Sequence, residues 1–390
     1  MARKRLQNPT RNSSRTLQGW GYSSVWSNSI GKAFVVTCFG ESHGPVVGVT
    51  VDGCPAGLSL TVDDIQRALD MRIPQEKDVV SARREPDIVE LFSGVFQDHT
   101  TGAPVTLHIR NKDVKSSDYD SLKDVVRPGH ADYPAKVKYG GFSDYRGGGR
   151  LSGRMTAAFV AAGAIAQRLL SAFGVEVLAY TQAIDGVRLD NPPNIEAVKK
   201  VTYENSMRCP DPVLAEKMHQ AVINAKTDGD SVGGVVECTV LSLPVGVGEP
   251  LFDAIDSELA KILFGIPAVK GVEFGAGFQA TRLKGSENND QYVIKEGKVV
   301  TLTNNSGGVL GGMSTGMPLL LRVAFKPPSS IAKEQKTVNV SQMEEAKLGV
   351  KGRHDPCVVP KAVPVVQGMV AIGVADLMIR GGMIPRVLKS

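Results

Sequence analysis

The sequence predicts an α+β fold made of two similar halves, and three observations carry that prediction. Short segments that alternate or run apolar mark strands. Longer segments with apolar residues at i, i+3 and i+4 mark helices. The same succession of these elements occurs twice along the chain. With 390 residues, 42% of them hydrophobic, the chain can bury a sizeable core, and its 42 glycines announce many tight turns.

The first half opens on a strand from Val46 to Val51, passes Pro55-Ala-Gly, and forms an amphipathic helix from Val62 to Asp70. Val89-Glu-Leu-Phe-Ser-Gly-Val-Phe96 follows, and Thr101-Gly-Ala-Pro104 leads into another strand. The second half repeats the order: strand Val235 to Leu241, Pro244-Val-Gly, helix Phe252 to Phe264, Val272-Glu-Phe-Gly-Ala-Gly-Phe278. Thr315-Gly-Met-Pro318 then leads into the strand Leu319 to Phe325, with an insertion from Gln279 to Met313 before it. Between the halves lies a glycine-rich loop followed by the clearest helix of the chain, Ser152 to Phe173, which Gly174 terminates. Its small residues Ala157-Ala158 and Ala161-Ala162-Gly163-Ala164 allow another element to approach its backbone, so it should be central.

Net charge is +5, but residues 1–30 hold Arg3, Lys4, Arg5, Arg11 and Arg15 and no acid, which leaves the remainder formally neutral. A generally basic surface for nucleic acid is therefore not indicated; such binding would rest on residues 1–30 alone. That segment has the Arg- and Ser-rich, acid-poor composition of a transit peptide and equally of a disordered tail. It reads as an extra, disordered segment ahead of one domain over 31–390. Cys38, Cys54, Cys209, Cys238 and Cys357 are scattered, odd in number and form no CxxC pair, which fits a reduced, cytoplasmic setting. The longest apolar stretch, Met155 to Ala166, is too short to cross a bilayer, and no membrane span is expected. HxH, HExxH and clustered Cys/His patterns are missing, so no metal site is expected.

Three histidines sit in glycine- or proline-rich loops beside an acid: His43 in Phe39-Gly-Glu-Ser-His-Gly44, His130 in Pro128-Gly-His-Ala-Asp132, and His354 in Gly352-Arg-His-Asp-Pro356. Imidazole titrates nearest neutrality, which makes these the natural acid or base candidates. Tyr145-Arg-Gly-Gly-Gly-Arg-Leu-Ser-Gly-Arg154 runs into the start of the central helix and reads as an anion cradle, with Arg146, Arg150 and Arg154 adding charge to a helix N-terminus. Lys326-Pro-Pro-Ser-Ser330 offers an ammonium and two hydroxyls on a stiff turn, suited to a phosphate or to a flavin's polar edge.

Taken together, these loops resemble chorismate synthases, from about Gly31 to near Arg380. The resemblance rests on Phe39-Gly-Glu-Ser-His-Gly44, Arg83-Arg-Glu-Pro-Asp87, Arg127-Pro-Gly-His-Ala-Asp-Tyr133 and Asp144-Tyr-Arg-Gly-Gly-Gly-Arg150. It also rests on Gly311-Gly-Met-Ser314, Lys326-Pro-Pro-Ser-Ser330 and Gly352-Arg-His-Asp-Pro-Cys357. It implies a β-α-β sandwich, a homotetramer, and a lyase reaction in which 5-enolpyruvylshikimate 3-phosphate loses phosphate and a ring hydrogen to give chorismate. Reduced FMN is required and not consumed. The resemblance leaves open whether NADPH serves as reductant in the chain itself or a separate flavin reductase is the partner.

The resemblance further implies that His43 protonates the departing phosphate, His130 faces the N1 and C2 carbonyl edge of the flavin, and Asp355 assists proton removal at flavin N5. Flavin contacts would come from Arg150, Leu151, Ser152, Ala268, Gly311, Lys326, Pro327, Pro328, Ser329, Ser330 and Arg353, and the substrate's anionic groups from Arg72 and Arg154. The sequence departs from the family pattern at Leu151, where only the backbone can bind, at Met155, and at Asp78 beside Lys77, where some members carry an arginine linked with NADP. The competing reading is a flavin- or nucleotide-binding module without turnover, which would keep Lys326 and Arg150 but not need both histidines.

Overall fold

The protein's structure is a computed structural model that describes residues 27–73, 85–114, 119, 122–350 and 354–389. Most of the N-terminal segment, and Arg83, Arg84, Lys77, Asp78 and Arg353, lie outside them. The boundary set at residue 30 falls within ordered structure, because Ser29 and Ile30 pair with Thr37 and Val36.

The two halves repeat strand for strand. In the N-terminal half, the antiparallel strands Val35–Gly40, Val46–Asp52, Val105–Arg110 and Val89–Ser93 lie side by side in that order, and Glu176–Ile184, Gly234–Leu241, Leu319–Phe325 and Val269–Phe274 do the same in the C-terminal half. The strand alternation drives the layering. Val105, Leu107 and Ile109 are buried while their neighbours are not, and Leu319, Leu321, Val323 and Phe325 repeat that pattern.

Each half then carries one amphipathic helix, Val62–Met71 or Ile255–Leu263, and one long central helix, Thr156–Ser171 or Val359–Arg380. The central helices pack on each other and each packs on its own sheet, so that the helices lie between the sheets in a β-α-β sandwich. The helix Val62–Met71 starts at a reciprocal cap in which Thr61 and Asp64 satisfy each other's backbone N–H groups. The Ile255–Leu263 helix starts three residues later than its sequence suggests, because Glu249 and Asp253 close a turn and leave Leu251 and Phe252 exposed.

Val359–Arg380 escaped the sequence reading, and it corrects the expectation that Met155–Ala166 is the longest apolar stretch. The helix is long and apolar enough to cross a membrane, yet 89% of its apolar window is buried inside the protein. Pro360, Pro364, Gly368 and Gly373 read as breakers, but burial on every side sustains the helix.

The two central helices meet backbone to backbone. A Cβ on Gly163 would lie 2.3 Å from the Cα of Gly368, so neither helix has room for a side chain there. Gly163→Ala is therefore expected to destabilise the protein by about 3 kcal/mol, since the overlap can be relieved only by separating the helices. Denaturant unfolding monitored by far-UV circular dichroism measures it; an unchanged midpoint would contradict the close crossing.

The ends of the chain help to tie the halves together. Asp376, buried on the second central helix, accepts the backbone N–H groups of Lys32, Ala33 and Phe34. Near the C-terminus, Ala56 N–H donates to Arg386 O and Leu388 N–H donates to Ala56 O.

Candidate active site

The candidate site forms where two equivalent connections meet. Residues 111–155 run from the strand Val105–Arg110 to the first central helix, and residues 326–358 run from the matching strand Leu319–Phe325 to the second. Ser329 Oγ donates to Gly129 O (2.7 Å), Arg127 Nη1 donates to Ser330 Oγ (3.1 Å), and Lys326 Nζ donates to Ser329 Oγ (2.7 Å). The Lys326–Ser330 turn is thus joined to the loop that carries His130. Burial, and Lys270 nearby, lower the pKa of Lys326.

His43 sits in the turn after the strand Val35–Gly40. Asn111 Nδ2 pins that turn by donating to Glu41 O (3.0 Å) and Gly44 O (2.7 Å), and Ser42 N–H donates to Gly149 O (3.1 Å). The His43 side chain is 8% exposed and meets the Tyr119 ring edge-on, with centroids 5.0 Å apart.

Gly147, Gly148 and Gly149 all take positive φ (58°, 82° and 53°), a conformation that L side chains avoid. A Cβ on Gly147 would lie 2.6 Å from Cδ2 and 2.7 Å from Nε2 of His43, and one on Gly148 would lie 3.5 Å from Nε2 of His130. The glycine loop therefore lies along both imidazoles. It does not gather Arg146, Arg150 and Arg154 into one cradle, which corrects the reading from sequence. Arg146 pairs with Asp144 (Nε–Oδ1 2.8 Å), Arg150 Nη2 donates to Asn28 Oδ1 with its guanidinium over the Tyr139 ring, and Arg154 turns inward. Once the backbone kinks through left-handed glycines, successive side chains leave in different directions.

His130 Nδ1 lies 2.6 Å from Asp132 Oδ1, and Arg127 forks onto the same carboxylate through Nε and Nη2, both at 2.7 Å. Burial of Asp132 opposes its ionisation, but hydrogen bonds from Arg127 and His130 outweigh that and hold its carboxyl well below the usual range. The carboxylate fixes the ring's orientation and leaves Nε2 on the side of Gly148.

Asp87, fully buried at a positive φ of 48°, is the anchor of a second cluster. Arg72 Nη1 reaches its Oδ2 (2.8 Å) and Arg154 Nη1 its Oδ1. Arg154 also donates to Asn111 Oδ1 through Nε (2.8 Å) and to Arg110 O through Nη2 (3.4 Å), and Arg72 donates to Thr156 Oγ1 through Nε (3.1 Å) and to Gly153 O through Nη2 (3.3 Å). Burial lowers the pKa of Arg72, and Arg154 adds to this, while Asp87 and Asp355 oppose it; an arginine remains charged near neutrality regardless. Asp355 is gripped at both oxygens by Lys361 Nζ (2.7 and 2.8 Å). One buried and one partly exposed guanidinium on a single buried carboxylate leave the pair with an excess positive charge, which suits an anionic ligand.

A cavity of about 630 Å³ opens beside His130 and Asp132 and is lined by Tyr139, Phe142, Arg150 and Leu151 among others, within the size range of cofactor pockets. Ser152 Oγ accepts from Arg154 N–H (3.3 Å) below it. Ala268, at a positive φ of 72°, accepts Lys326 N–H (3.0 Å); Pro327 O accepts from Lys326 Nζ and Pro328 O from Ser231 Oγ. Gly311 is placed apart. It occupies the turn between Val309–Leu310 and Met313–Ser314, and Ser314 is held by Pro244 and Val247 at the Leu319 end of the sheet. Lys326 follows the other end, one seven-residue strand away, or about 20 Å.

Sequence reasoning assigned no role to Arg127, Asp132, Asp87, Tyr119 or Lys361. Asp87, Arg127 and Asp132 stand in the quoted motifs, a signal that could have found them. For Lys361, in an apolar run, there was none.

The chorismate synthase family model matches residues 34–379. A chorismate synthase of Dehalococcoides mccartyi (strain BAV1) is 52% identical over 364 residues, 93% of this chain and all of the relative. One of Korarchaeum cryptofilum is 49% identical over 350 residues, 90% of this chain and 97% of the relative. A crystal structure of chorismate synthase superposes with a TM-score of 0.72 at 28% identity, covering 90% of this chain and 93% of that one. A match of this breadth in sequence and in fold establishes that the chain belongs to the chorismate synthase family.

Proposed function

We propose that this chain eliminates phosphate from 5-enolpyruvylshikimate 3-phosphate to give chorismate, a carbon–oxygen lyase step that depends on reduced FMN and brings no net redox change. The observation that carries the reading is the meeting of His43, His130, the Arg72 cluster and the Lys326–Ser330 turn around the glycine loop.

The donor set fits such a flavin. The cavity beside His130, the hydroxyls and ammonium of Lys326–Ser330, and Arg150 would take its polar edge and phosphate, with Leu151, Ser152, Ala268 and Arg353 as further contacts. Reduced FMN bound there would supply transient electron density for cleavage of the carbon–oxygen bond, with no net redox change.

The chain's own residues do the rest. Arg72, braced by Asp87 and Arg154, balances the substrate's anionic groups, which a low-dielectric site would otherwise reject. His43 donates a proton to the departing phosphate oxygen, since a protonated phosphate is the better leaving group. His130, oriented by Asp132 and Arg127, would hold a proton toward the flavin's polar edge, and Asp355, gripped by Lys361, would assist removal of the ring proton. The reading includes a cytoplasmic homotetramer, and the separation of Gly311 from Lys326 supports a flavin site shared between subunits. Reductant comes from NADPH or from a separate flavin reductase.

An anaerobic phosphate-release assay with 5-enolpyruvylshikimate 3-phosphate tests the proposal. Dithionite-reduced FMN should support turnover and oxidised FMN alone should not. Turnover without any flavin would overturn the reading, and an NADPH arm identifies the electron source.

A further inference from the structure

We infer that Arg208, a buried residue of the C-terminal half, is a positioning residue for Arg72. It fixes the helix end from which Arg72 projects and acts on substrate binding only through it. The inference rests on the reading of Arg72 as a substrate-anion ligand.

Arg72 is the first residue beyond the helix Val62–Met71. The last carbonyls of a helix have no partner within it, carry its negative pole, and attract a cation. This helix has no basic residue in its last turn. The cation comes instead from the other half, where Arg208 Nη2 donates to Met71 O at 2.9 Å. The contact is one residue from Arg72, so a shift of Met71 moves the Arg72 backbone with it.

Arg208 is built to stay in place. It is 4% exposed, and it takes a positive φ of 57° in a turn that Asn205 staples by donating to Val201 O and Cys209 O and accepting from Cys209 N–H. Its backbone carbonyl accepts Thr181 N–H at the edge of the C-terminal sheet (2.9 Å). Its guanidinium lies over the Tyr203 ring, 4.6 Å from the centroid, and Nη1 donates to Tyr203 O (3.2 Å). Tyr203 OH donates to Gln367 Oε1 on the second central helix, and Gln367 Nε2 donates to Gln167 Oε1 on the first. An unbroken set of contacts therefore runs from both central helices through Tyr203 and Arg208 to the end of the Arg72 helix.

Burying a cation that is held by carbonyls and a ring is costly, as the burial-driven lowering of its pKa indicates. A guanidinium spanning two carbonyls from different halves fixes distance and direction together.

The test compares Arg208→Met, Arg208→Lys, Arg72→Ala and the Arg208→Met/Arg72→Ala pair, all loaded with oxidised FMN so that nothing turns over. Calorimetric Kd values for 5-enolpyruvylshikimate 3-phosphate, flavin affinity and melting temperature are read together. We expect Arg208→Met to weaken substrate binding roughly tenfold with flavin affinity unchanged, Arg208→Lys to recover part of the loss, and Arg208→Met to add less than about twofold once Arg72 is alanine. An equal loss in both backgrounds, or none in either, overturns the inference. If Arg72→Ala alone leaves substrate affinity intact, the substrate-clamp reading fails first and takes the inference with it. Should Arg208→Met not fold, Arg208→Lys carries the same cycle.

Discussion

Replacing His43 with alanine is expected to lower turnover by roughly a hundred- to ten-thousand-fold while FMN still binds. The side chain is buried, its ring is set edge-on to Tyr119, and its turn is pinned by Asn111, so a diffusing buffer acid cannot easily take its place. Loss of a positioned proton donor should appear in the chemical step. Single-turnover phosphate release under anaerobic conditions measures it, with flavin fluorescence reporting that the cofactor is retained. His130→Ala should fall in the same range, because its ring is fixed by Asp132 at 2.6 Å and not by substrate. Full activity in either variant would remove the role assigned to that imidazole.

Gly147→Ala should be nearly as severe, a loss of about a hundredfold or more, although it changes no polar group. The added methyl would stand 2.6–2.7 Å from two atoms of the His43 ring and from Ser42 Oγ, and its φ of 58° is strained for any L side chain. Either the ring rotates out of register or the loop lifts, and both uncouple His43 from its neighbours. Gly153→Ala is the matched control: a Cβ there meets nothing within 4 Å, and that variant should stay within a few-fold of the parent enzyme. Equal activity in the two variants would show that the close approach of Gly147 to His43 has no catalytic weight.

Much of this architecture was legible in the sequence, for identifiable reasons. Two halves could be read because buried strands and amphipathic helices impose periods of 2.0 and 3.6 residues, and Val46 to Val51 and Val235 to Leu241 carry the former plainly. Val359–Arg380 was not legible, because proline and glycine normally end helices and only packing on all sides overrides them. The loops of the site could be found because glycine, histidine and arginine rarely gather without cause. Which groups join could not. Arg154 reaches across to Asp87, His130 is shared with Arg127 and Asp132, and Lys361 closes on Asp355 from a helix that went unrecognised. Long side chains choose partners after the backbone has set their origins, and local sequence does not hold that information.

The strand-for-strand correspondence of the halves does not extend to the groups they bring to the site. Two identical units related by a twofold axis would set identical groups on either side of it, whereas here one side brings His43 and His130 and the other His354, an ammonium, two hydroxyls and a carboxylate. Because both halves belong to one chain with a different sequence in each, a twofold-like frame holds a site whose two faces differ in chemistry.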